Sequence, residues 1–391
     1  MTPHSAGVRG TFDPRFRPVA VAFAGTVTEP ESGGAALSIW HRGTEVVNLQ
    51  CGVADARYGR PWDERTPAVL FSATKGLASL VVARLAEQGR IDLEAPVARV
   101  WPEFGVHGKE ALTIGDLLAH RAGLIAPDAD IGLDEALDGR RIAARLAAQK
   151  PRWEPGKAHL YHAMTWGPLV RETVLRATGE DLPELFQEFV AAPLGAEATL
   201  QATDAEVARV AHITTSPAFD ALSAHQEQTL DEDARRFWTC GGAFPMSLVT
   251  ADGGFNDPRV LKAGLASGGG LGTASALARI WSAAVTPTLG HRVLSDHGIG
   301  LLTRERSSGP SATDADGAPG PFLRWGAGAQ LSSEAQPWLS AGSFGHDGAG
   351  GQSAFADPRH RIGFGYLTNR MEPAPSVPQV ISALRTVLEA G

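Results

Sequence analysis

Apolar runs near both ends of the chain have the pattern of β-strands. At the N-terminal end, two such runs join at residues 41–44, which predicts a hairpin: "GGAALSIWHRG" and "EVVNLQCGVAD". Near the C-terminal end, glycine-rich turns separate three more predicted strands: "FLRWGAGAQL", "FGHDGAGGQSAFAD" and "RIGFGYLTNR". The chain then closes on a predicted helix, "VPQVISALRTVLEAG".

The middle of the chain has a helical pattern instead. A helix is predicted from about Ser72 to Gln88, ending before Gly89, a residue that suits the position after a helix end. Two further segments predict amphipathic helices: "ALTIGDLLAHRAGL" and "GPLVRETVLRATGEDLPELFQEFVAAPLG". Residues 306–321 have the composition of a loop or linker.

Strands at both ends with helices between them predict an α+β fold. We expect one antiparallel sheet built from both termini and flanked by helices, with a mainly helical region inserted in the middle. The predicted domains are a discontinuous sheet domain, 1–65 with 265–391, and a helical domain, 66–264. The active site is expected at the interface between them.

The charge of the chain narrows the possible partners. With 391 residues, a net charge of −8 and a pI near 5.8, the protein offers no basic field for nucleic acid or an anionic membrane. The N-terminal residues lack a secretory signal, and no run approaches the roughly 20 apolar residues of a membrane span. We therefore expect a cytoplasmic protein that acts on a small molecule; the oligomeric state cannot be read from the sequence.

The few cysteines and lysines of the chain give two further indications. Cys51 and Cys240 are too few for a disulfide framework or a thiolate metal site, so both are expected to be structural thiols. Lysine is rare, with five residues against thirty arginines, yet Lys75 lies inside the apolar run "FSATKGLASL". A buried ammonium is costly unless it is paired, hydrogen-bonded or deprotonated, so we expect Lys75 to have a function.

Ser72 lies three residues before Lys75. In the first turn of a helix the two side chains share one face, so the amine can reach the hydroxyl. A neutral lysine can accept the proton of a serine nucleophile, and burial lowers the pKa of a lysine toward that role. Although S-x-x-K is a weak motif in isolation, this is its one occurrence in the chain.

Two further segments carry candidate site residues. Tyr161, in "YHAMTWG", follows a predicted turn and could relay a proton, although a structural tyrosine is the alternative. His346, Asp347 and Gly348 precede Ala349 and two more glycines. Such a strand end can bring backbone N–H groups close to a bound carbonyl, as an oxyanion hole requires, although glycines there also simply make bulges.

In this order and at these separations, the three segments resemble the serine β-lactamase and D,D-peptidase superfamily. The branch is class C-like, and the chain is similar to family VIII carboxylesterases. Residues 72–75 match the S-x-x-K motif, residues 161–163 the Y-x-N position, and residues 346–348 the K-T-G position. Flanking segments extend the resemblance over nearly the whole chain: "LSIWHRGTEVV", "LTIGDLLAHRAGL", "ASGGGLGTASALARIW" and "AFADPRHRIGFGYLTNR".

The resemblance implies a role for each matching residue. Ser72 is the nucleophile, Lys75 the base that activates it, and Tyr161 the proton relay that also assists deacylation. The backbone N–H groups of Ser72 and Ala349 form the oxyanion hole. His346 lines the substrate pocket, in contact with Tyr161 or the acyl group. The implied substrate-binding residues are His346, Gly348 and His162.

Two departures from the family pattern bear on the substrate. Ala163 replaces an asparagine that contacts the substrate amide, and His346 replaces a lysine that helps hold a substrate carboxylate. Both count against efficient penicillin recognition. We therefore expect a serine hydrolase of small carboxylic esters, with no cofactor and no metal. An acyltransferase that passes the acyl group to an amine or alcohol is the main alternative, ahead of a β-lactamase or D,D-peptidase and an inactive binding homologue.

Other motifs in the chain are weaker. "AGSFG" around Ser343 varies the nucleophile elbow of α/β-hydrolases, but it lacks the alternating strands and helices of that fold. Residues 268–272 could suggest a phosphate loop, but no Lys-Ser/Thr follows; a turn capped by Thr273 at a helix start is favoured. His120 is expected in a structural helix. There is no H-E-x-x-H pattern and no Cys/His cluster.

Overall fold

The computed structural model describes residues 7–313 and 320–390. Most of the strands in these residues belong to one large antiparallel sheet. The strands, in chain order, are β1 Arg9–Phe12, β2 Gly34–His41, β3 Thr44–Asp55, β4 Arg60–Pro61, β5 Ala68–Val69, β6 Ala198–Thr199, β7 Thr214–Thr215, β8 Leu271–Gly272, β9 Arg324–Trp325, β10 Gln330–Leu331, β11 Phe344–Asp347, β12 Ser353–Asp357, β13 Ile362–Thr368 and β14 Arg370–Met371.

Most of the helices lie between the two groups of strands. In chain order they are α1 Arg17–Ala24, α2 Ala73–Glu87, α3 Ile114–Leu118, α4 Leu133–Leu137, α5 Gly139–Ala148, α6 Trp166–Thr178, α7 Leu182–Phe186, α8 Ala192–Leu194, α9 Asp204–Val207, α10 Pro217–Thr229, α11 Glu232–Thr239, α12 Pro258–Lys262, α13 Ala274–Val285, α14 Asp296–Thr303 and α15 Val377–Glu389. The chain thus has the α+β composition that its sequence predicts.

The large sheet is built from both ends of the chain. Its order is β1-β3-β2-β13-β12-β11-β10-β9, with β4 paired to β3. The junction is the pair β2–β13, where Leu37 lies opposite Tyr366. This arrangement confirms the predicted sheet from both termini. The hairpin β2–β3 turns at Arg42 and Gly43, which both have positive φ, as a tight two-residue turn requires.

Helices cover both faces of the sheet. On one face, α1 and α15 pack together and share an apolar cluster with the sheet that includes Phe23, Phe364 and Leu384. On the other face, α13 packs against β2, β12 and β13, and α2 packs against β11. Because strand side chains alternate between faces, a strand covered on both sides is apolar along its length. β13 has this character, with residues 362–367 all buried.

Glycines in β13 allow α13 to approach closely. A Cβ added to Gly365 would lie 2.6 Å from the carbonyl oxygen of Ala274, and one added to Gly363 would lie 2.1 Å from that of Ala278. The helix begins after Thr273, whose hydroxyl accepts a hydrogen bond from the Ala276 N–H at 3.1 Å. The predicted cap at Thr273 is confirmed.

Several predicted elements are shorter in the structure. The helix predicted in "ALTIGDLLAHRAGL" spans only α3, because the chain leaves the helical conformation at Ala119 and His120 has a φ of +65°. The long amphipathic segment after residue 166 is divided where Gly179 takes a left-handed conformation at the end of α6. Part of the predicted loop, residues 314–319, lies outside the described residues.

The helical region meets the sheet at the start of α2. This helix is buried on nearly all sides, and its first turn lies beside the end of β11. The predicted domain boundaries, 65/66 and 264/265, stay a prediction. None of the helices in residues 7–313 and 320–390 combines the length and apolar character needed to cross a bilayer.

Candidate active site

Ser72 occupies the position just before the first turn of α2. Its hydroxyl makes no capping hydrogen bond to the helix, so the oxygen is not used to hold the backbone. The preceding residue, Phe71, has a φ of +45°, an unfavourable conformation for a bulky side chain. Packing holds it there, because the Phe71 ring is buried 5.1 Å from the ring of Phe255. The strained turn presents the Ser72 side chain to a cavity.

Lys75 lies one turn further along α2 and is fully buried. Its Nζ is 3.2 Å from the Oγ of Ser72, 2.8 Å from the carbonyl oxygen of Ala163 and 2.7 Å from that of Ser267. Among the described residues, no carboxylate forms an ion pair with this amine. Burial therefore lowers the pKa of Lys75 well below its ordinary value of 10.5.

An ammonium satisfies the three neighbours of Nζ with its three N–H groups, and the same three neighbours also fit the hydrogen-bonding capacity of a neutral amine. Such an amine has two N–H donors and one lone pair. Carbonyl oxygens only accept hydrogen bonds, so the two N–H groups point to Ala163 and Ser267. The lone pair then faces the Ser72 hydroxyl, which can donate its proton to the amine. This arrangement is the one that a base acting on Ser72 would require.

Tyr161 lies on the segment between α5 and α6 and completes this side of the site. The Nζ of Lys75 is 4.9 Å from the centroid of its ring. Burial raises the pKa of the phenol, and the nearby Ser72 hydroxyl offsets part of that rise. The phenol oxygen is buried and makes no hydrogen bond of normal geometry to the described residues. Tyr161 is therefore a neutral phenol beside Ser72 and Lys75.

His162, the residue after Tyr161, hydrogen-bonds to two backbone groups. Its Nε2 accepts a hydrogen bond from the Leu124 N–H at 3.1 Å, and its Nδ1 lies 2.6 Å from the Leu160 carbonyl oxygen. Because a carbonyl only accepts, Nδ1 carries the ring proton. Burial lowers the pKa of His162 to about 4. The residue is not part of the cavity wall, so its position argues against the predicted contact with substrate.

The end of β11 forms the opposite wall. Gly348 approaches the chain before Ser72 so closely that an added Cβ would lie 2.4 Å from the Leu70 carbonyl oxygen. Ala349 follows at the start of a short 3-10 turn and lines the same cavity as Ser72. Within the described residues, the backbone N–H groups of Ser72 and Ala349 donate to no other protein group. Both are thus available to a bound oxyanion.

His346 lies in β11 two residues before Gly348 and lines the cavity. Its ring is 6.0 Å from the Tyr161 ring and 5.5 Å from the Trp325 ring, measured between centroids. Burial, followed by the nearby Lys75 amine, lowers the pKa of His346 to about 3. The side chain is therefore a neutral imidazole at ordinary pH.

The cavity in front of Ser72 has a volume of about 390 Å³ and is largely apolar. Neither lysine nor arginine occurs among the described residues that line it. The sequence analysis missed its apolar walls: Phe71, Met164, Trp238, Leu248, Phe255, Leu323 and Trp325. Phe71 and Met164 lie within three residues of predicted catalytic residues, which was an available signal. Trp238 and Leu323 come from distant segments and had none.

Ser267 is a further site residue that no sequence motif identifies. Its carbonyl accepts from Lys75, while its hydroxyl donates to the Met164 carbonyl at 2.6 Å and accepts from the Gly167 N–H at 2.6 Å. Ser267 thus connects Lys75 to the start of α6 through hydrogen bonds. The sequence offered only "ASGGGLG", which was interpreted as a turn before a helix.

The rival nucleophile, Ser343, is arranged differently. Its hydroxyl donates to Asp357 at 2.6 Å, and the other oxygen of that carboxylate lies 2.9 Å from the Nδ1 of His360. The carboxylate lies between serine and histidine, so no base contacts the hydroxyl as in a Ser-His-Asp triad. Within the described residues, no three His, Cys, Asp or Glu side chains are grouped to hold a metal ion.

A serine, a buried lysine and a tyrosine therefore meet at the edge of an antiparallel sheet, an arrangement that suits a serine hydrolase. The sequence profile of the Beta-lactamase family matches residues 20–388. The chain therefore belongs to the β-lactamase family, and its fold is the β-lactamase-like fold that the sequence predicts.

Individual relatives share most of the chain. It is 34% identical over 372 residues to the esterase/beta-lactamase LipL of Mycobacterium tuberculosis, covering 93% of this chain and 83% of LipL. A family VIII carboxylesterase crystal structure is 32% identical with a TM-score of 0.82, covering 97% of this chain and 99% of that one. EstA from Arthrobacter nitroguajacolicus Rue61a is 31% identical with a TM-score of 0.82, covering 97% and 98%. The predicted resemblance is confirmed.

Proposed function

We propose that the protein hydrolyses small, uncharged carboxylic esters through an acyl-enzyme on Ser72. The observation that carries the proposal is the Lys75 amine, buried without a carboxylate partner among the described residues and 3.2 Å from the Ser72 hydroxyl. The names of the relatives agree with it, because LipL is called an esterase/beta-lactamase and the structural neighbour a family VIII carboxylesterase. An esterase is thus supported at the level of the family.

In the proposed acylation step, Ser72 Oγ attacks the ester carbonyl carbon while Lys75 takes its proton. The negative charge on the carbonyl oxygen is stabilised by the N–H groups of Ser72 and Ala349. The C–O bond to the alcohol then breaks. Tyr161 donates a proton to the leaving oxygen and is reprotonated by Lys75, so the amine becomes neutral again.

In the proposed deacylation step, water attacks the acyl carbon. Its proton passes to Lys75, and the same oxyanion site stabilises the charge. The bond between the acyl carbon and Ser72 Oγ breaks, and the serine oxygen receives the proton held by Lys75. The products are a carboxylic acid and the free enzyme, with no cofactor required.

The lining of the cavity favours neutral esters over carboxylate-bearing substrates such as β-lactams. A bound carboxylate needs a cation or several donors to replace its water. His346 is neutral, Ala163 has no polar side chain, and the described lining residues include no lysine or arginine. The apolar walls instead suit a hydrocarbon acyl group.

Acyl transfer to an alcohol is a second candidate because the cavity has an apolar mouth. Trp238 is 42% exposed and Leu323 is 37% exposed, and both line the cavity beside Trp325. Such a surface can hold an organic acceptor in the place of water. Product analysis at fixed ester and rising alcohol or amine separates the two: acid as the main product supports the esterase, whereas a new ester or amide at low acceptor concentration supports the transferase.

A fluorophosphonate probe and p-nitrophenyl butyrate test the proposed function. We expect the probe to label Ser72 alone, because its hydroxyl has the buried amine as a base. Ser72→Ala should lose both labelling and hydrolysis, and Ser343→Ala is the matched control that keeps both. Labelling that survives in Ser72→Ala would contradict the mechanism. A wild-type protein that is neither labelled nor active would instead be a binding homologue.

A further inference from the structure

His346 is held in one ring orientation with one tautomer. Its Nδ1 lies 2.6 Å from the carbonyl oxygen of Asp347, and because a carbonyl only accepts, Nδ1 carries the hydrogen. The side chain is only 2% exposed, and its Cβ packs against Gly76 of α2, where an added Cβ would lie 3.0 Å away. Nε2 is therefore a fixed hydrogen-bond acceptor.

This acceptor is unused in the structure. Nε2 is buried and has no hydrogen-bond partner among the described residues. The phenol oxygen of Tyr161 is also buried without a hydrogen-bond partner among the described residues, and the two rings, which both line the cavity, lie 6.0 Å apart between centroids. Buried polar groups nearly always find a partner. An unpartnered O–H donor and an unpartnered nitrogen acceptor on neighbouring rings that line one cavity are complementary.

A second histidine touches Tyr161 but cannot play this part. The His120 ring lies 4.8 Å from the Tyr161 ring and is equally buried. Its Nδ1, however, accepts a hydrogen bond from the His162 N–H at 3.2 Å, so the hydrogen of the neutral ring is on Nε2. His120 therefore offers Tyr161 a donor, and His346 offers it an acceptor.

Acylation of Ser72 changes which hydrogen-bond acceptors are available to the Tyr161 hydroxyl. In the free enzyme the Tyr161 hydroxyl can donate to the Ser72 oxygen, which lies near it. After acylation, Oγ is an ester oxygen whose electrons are delocalised into the carbonyl, and it accepts hydrogen bonds poorly. The phenol hydrogen then needs another acceptor close by.

Resting on the proposed acyl-enzyme, we infer that His346 is a positioning residue for deacylation: its Nε2 accepts the Tyr161 O–H once Ser72 is acylated. The phenol oxygen then turns a lone pair toward the incoming water, which donates one hydrogen to it. The water's other proton passes to Lys75 as its oxygen bonds to the acyl carbon, and then to Ser72 Oγ as the acyl bond breaks. His346 gains and loses no proton, in agreement with its lowered pKa.

The test separates acylation from deacylation with p-nitrophenyl butyrate. Stopped-flow release of nitrophenol gives the burst and steady-state rates, and intact mass after acid quench measures acyl-enzyme on Ser72. We expect His346→Leu to slow deacylation about tenfold more than acylation, the usual weight of one hydrogen bond, so that acyl-enzyme accumulates and kcat and KM fall together. His346→Asn is the substitute if the leucine variant folds poorly. Its amide is too short to reach the position of Nε2, so it should slow deacylation selectively as well.

His346→Gln provides the rescue, because its longer amide can return an acceptor to that position. His120→Leu is the matched control, since it removes an equally buried imidazole that lacks a free acceptor. Equal slowing of both steps in the His346 variants, failure of the glutamine variant to restore deacylation, or selective accumulation in His120→Leu would each overturn the inference. Absence of acyl-enzyme in the wild type would overturn the proposed function itself.

Discussion

Replacing Lys75 with methionine should change how the stability of the protein depends on pH. Burial lowers the pKa of the Lys75 amine well below 10.5 in the fold, whereas in the unfolded chain the amine titrates at its ordinary value of 10.5. Between the lowered pKa and 10.5, the unfolded state therefore holds one more proton than the folded state. Stability increases with pH wherever the unfolded state binds more protons.

The size of this effect follows from one proton. Each pH unit adds about 1.36 kcal/mol to the free energy of unfolding of the wild type through this group. The methionine side chain does not titrate, so the wild type should gain about 1.36 kcal/mol per pH unit relative to Lys75→Met wherever the pH lies between the lowered pKa of Lys75 and 10.5. Other titrating groups contribute to both proteins and cancel in the difference.

Urea unfolding followed by tryptophan fluorescence measures the effect, since the chain has nine tryptophans. The quantity to compare is the wild-type minus variant free energy of unfolding at pH 7.5, 8.5 and 9.5. A difference that stays constant over this range would show that folded Lys75 keeps its proton, and Lys75 could then not serve as the base.

The Lys75→Met variant should also lose about 10²–10⁴-fold in kcat/KM. Arginine should not restore activity, because a guanidinium stays protonated.

Two further substitutions test other parts of the argument. Tyr161→Phe should lower kcat about 10²–10⁴-fold, because it removes the proton relay, yet leave the free energy of unfolding unchanged, since the lost hydroxyl makes no hydrogen bond to the described residues. A marked loss of stability would show a structural role. Gly365→Ala should destabilise by roughly 1–3 kcal/mol, because its Cβ would meet the α13 backbone, whereas Gly300→Ala, in α14 with open space around it, should not; both are checked by urea unfolding.

The general fold could be predicted because most of its long strands and helices have a clear pattern of apolar residues in the sequence. β2, β3, β12, β13 and α15 are all apolar enough, or flanked by clear enough turns, to be recognised. The shortened α3 shows the limit. Its segment has helical periodicity, but the positive φ of His120 depends on contacts with Leu160 and His162, which are about forty residues away. Local pattern cannot show a contact of that kind.

The catalytic residues could be predicted to the extent that they share short motifs. Ser72 and Lys75 are one helical turn apart, so their contact follows from spacing alone. The groups that hydrogen-bond to Lys75 could not be found in this way, because a carbonyl group can belong to any residue. Ser267 contributes its carbonyl from a loop 192 residues further along the chain. The predicted substrate contact of His162 stays a prediction: the residue is next to Tyr161 in sequence, but its ring hydrogen-bonds to the backbone of Leu124 and Leu160 and is not among the residues that line the cavity.

The same burial that lowers the pKa of Lys75 also keeps the neighbouring His346 and Tyr161 side chains neutral. Desolvation lowers the pKa of His346 and raises that of Tyr161, and the Lys75 position disfavours a second cation nearby. In the proposed mechanism, the neutral His346 and Tyr161 leave Lys75 able to take the Ser72 proton, while the buried Asp347 carboxyl group, whose pKa burial raises to about 7, also lines the cavity. In the proposed acylation step two opposite charges form, an ammonium on Lys75 and an oxyanion on the substrate, and backbone N–H groups stabilise the oxyanion. A permanent cation in the cavity would attract carboxylates, but it would also repel the proton that Lys75 must accept. The neutral His346 and the apolar wall therefore favour both the base and the neutral ester.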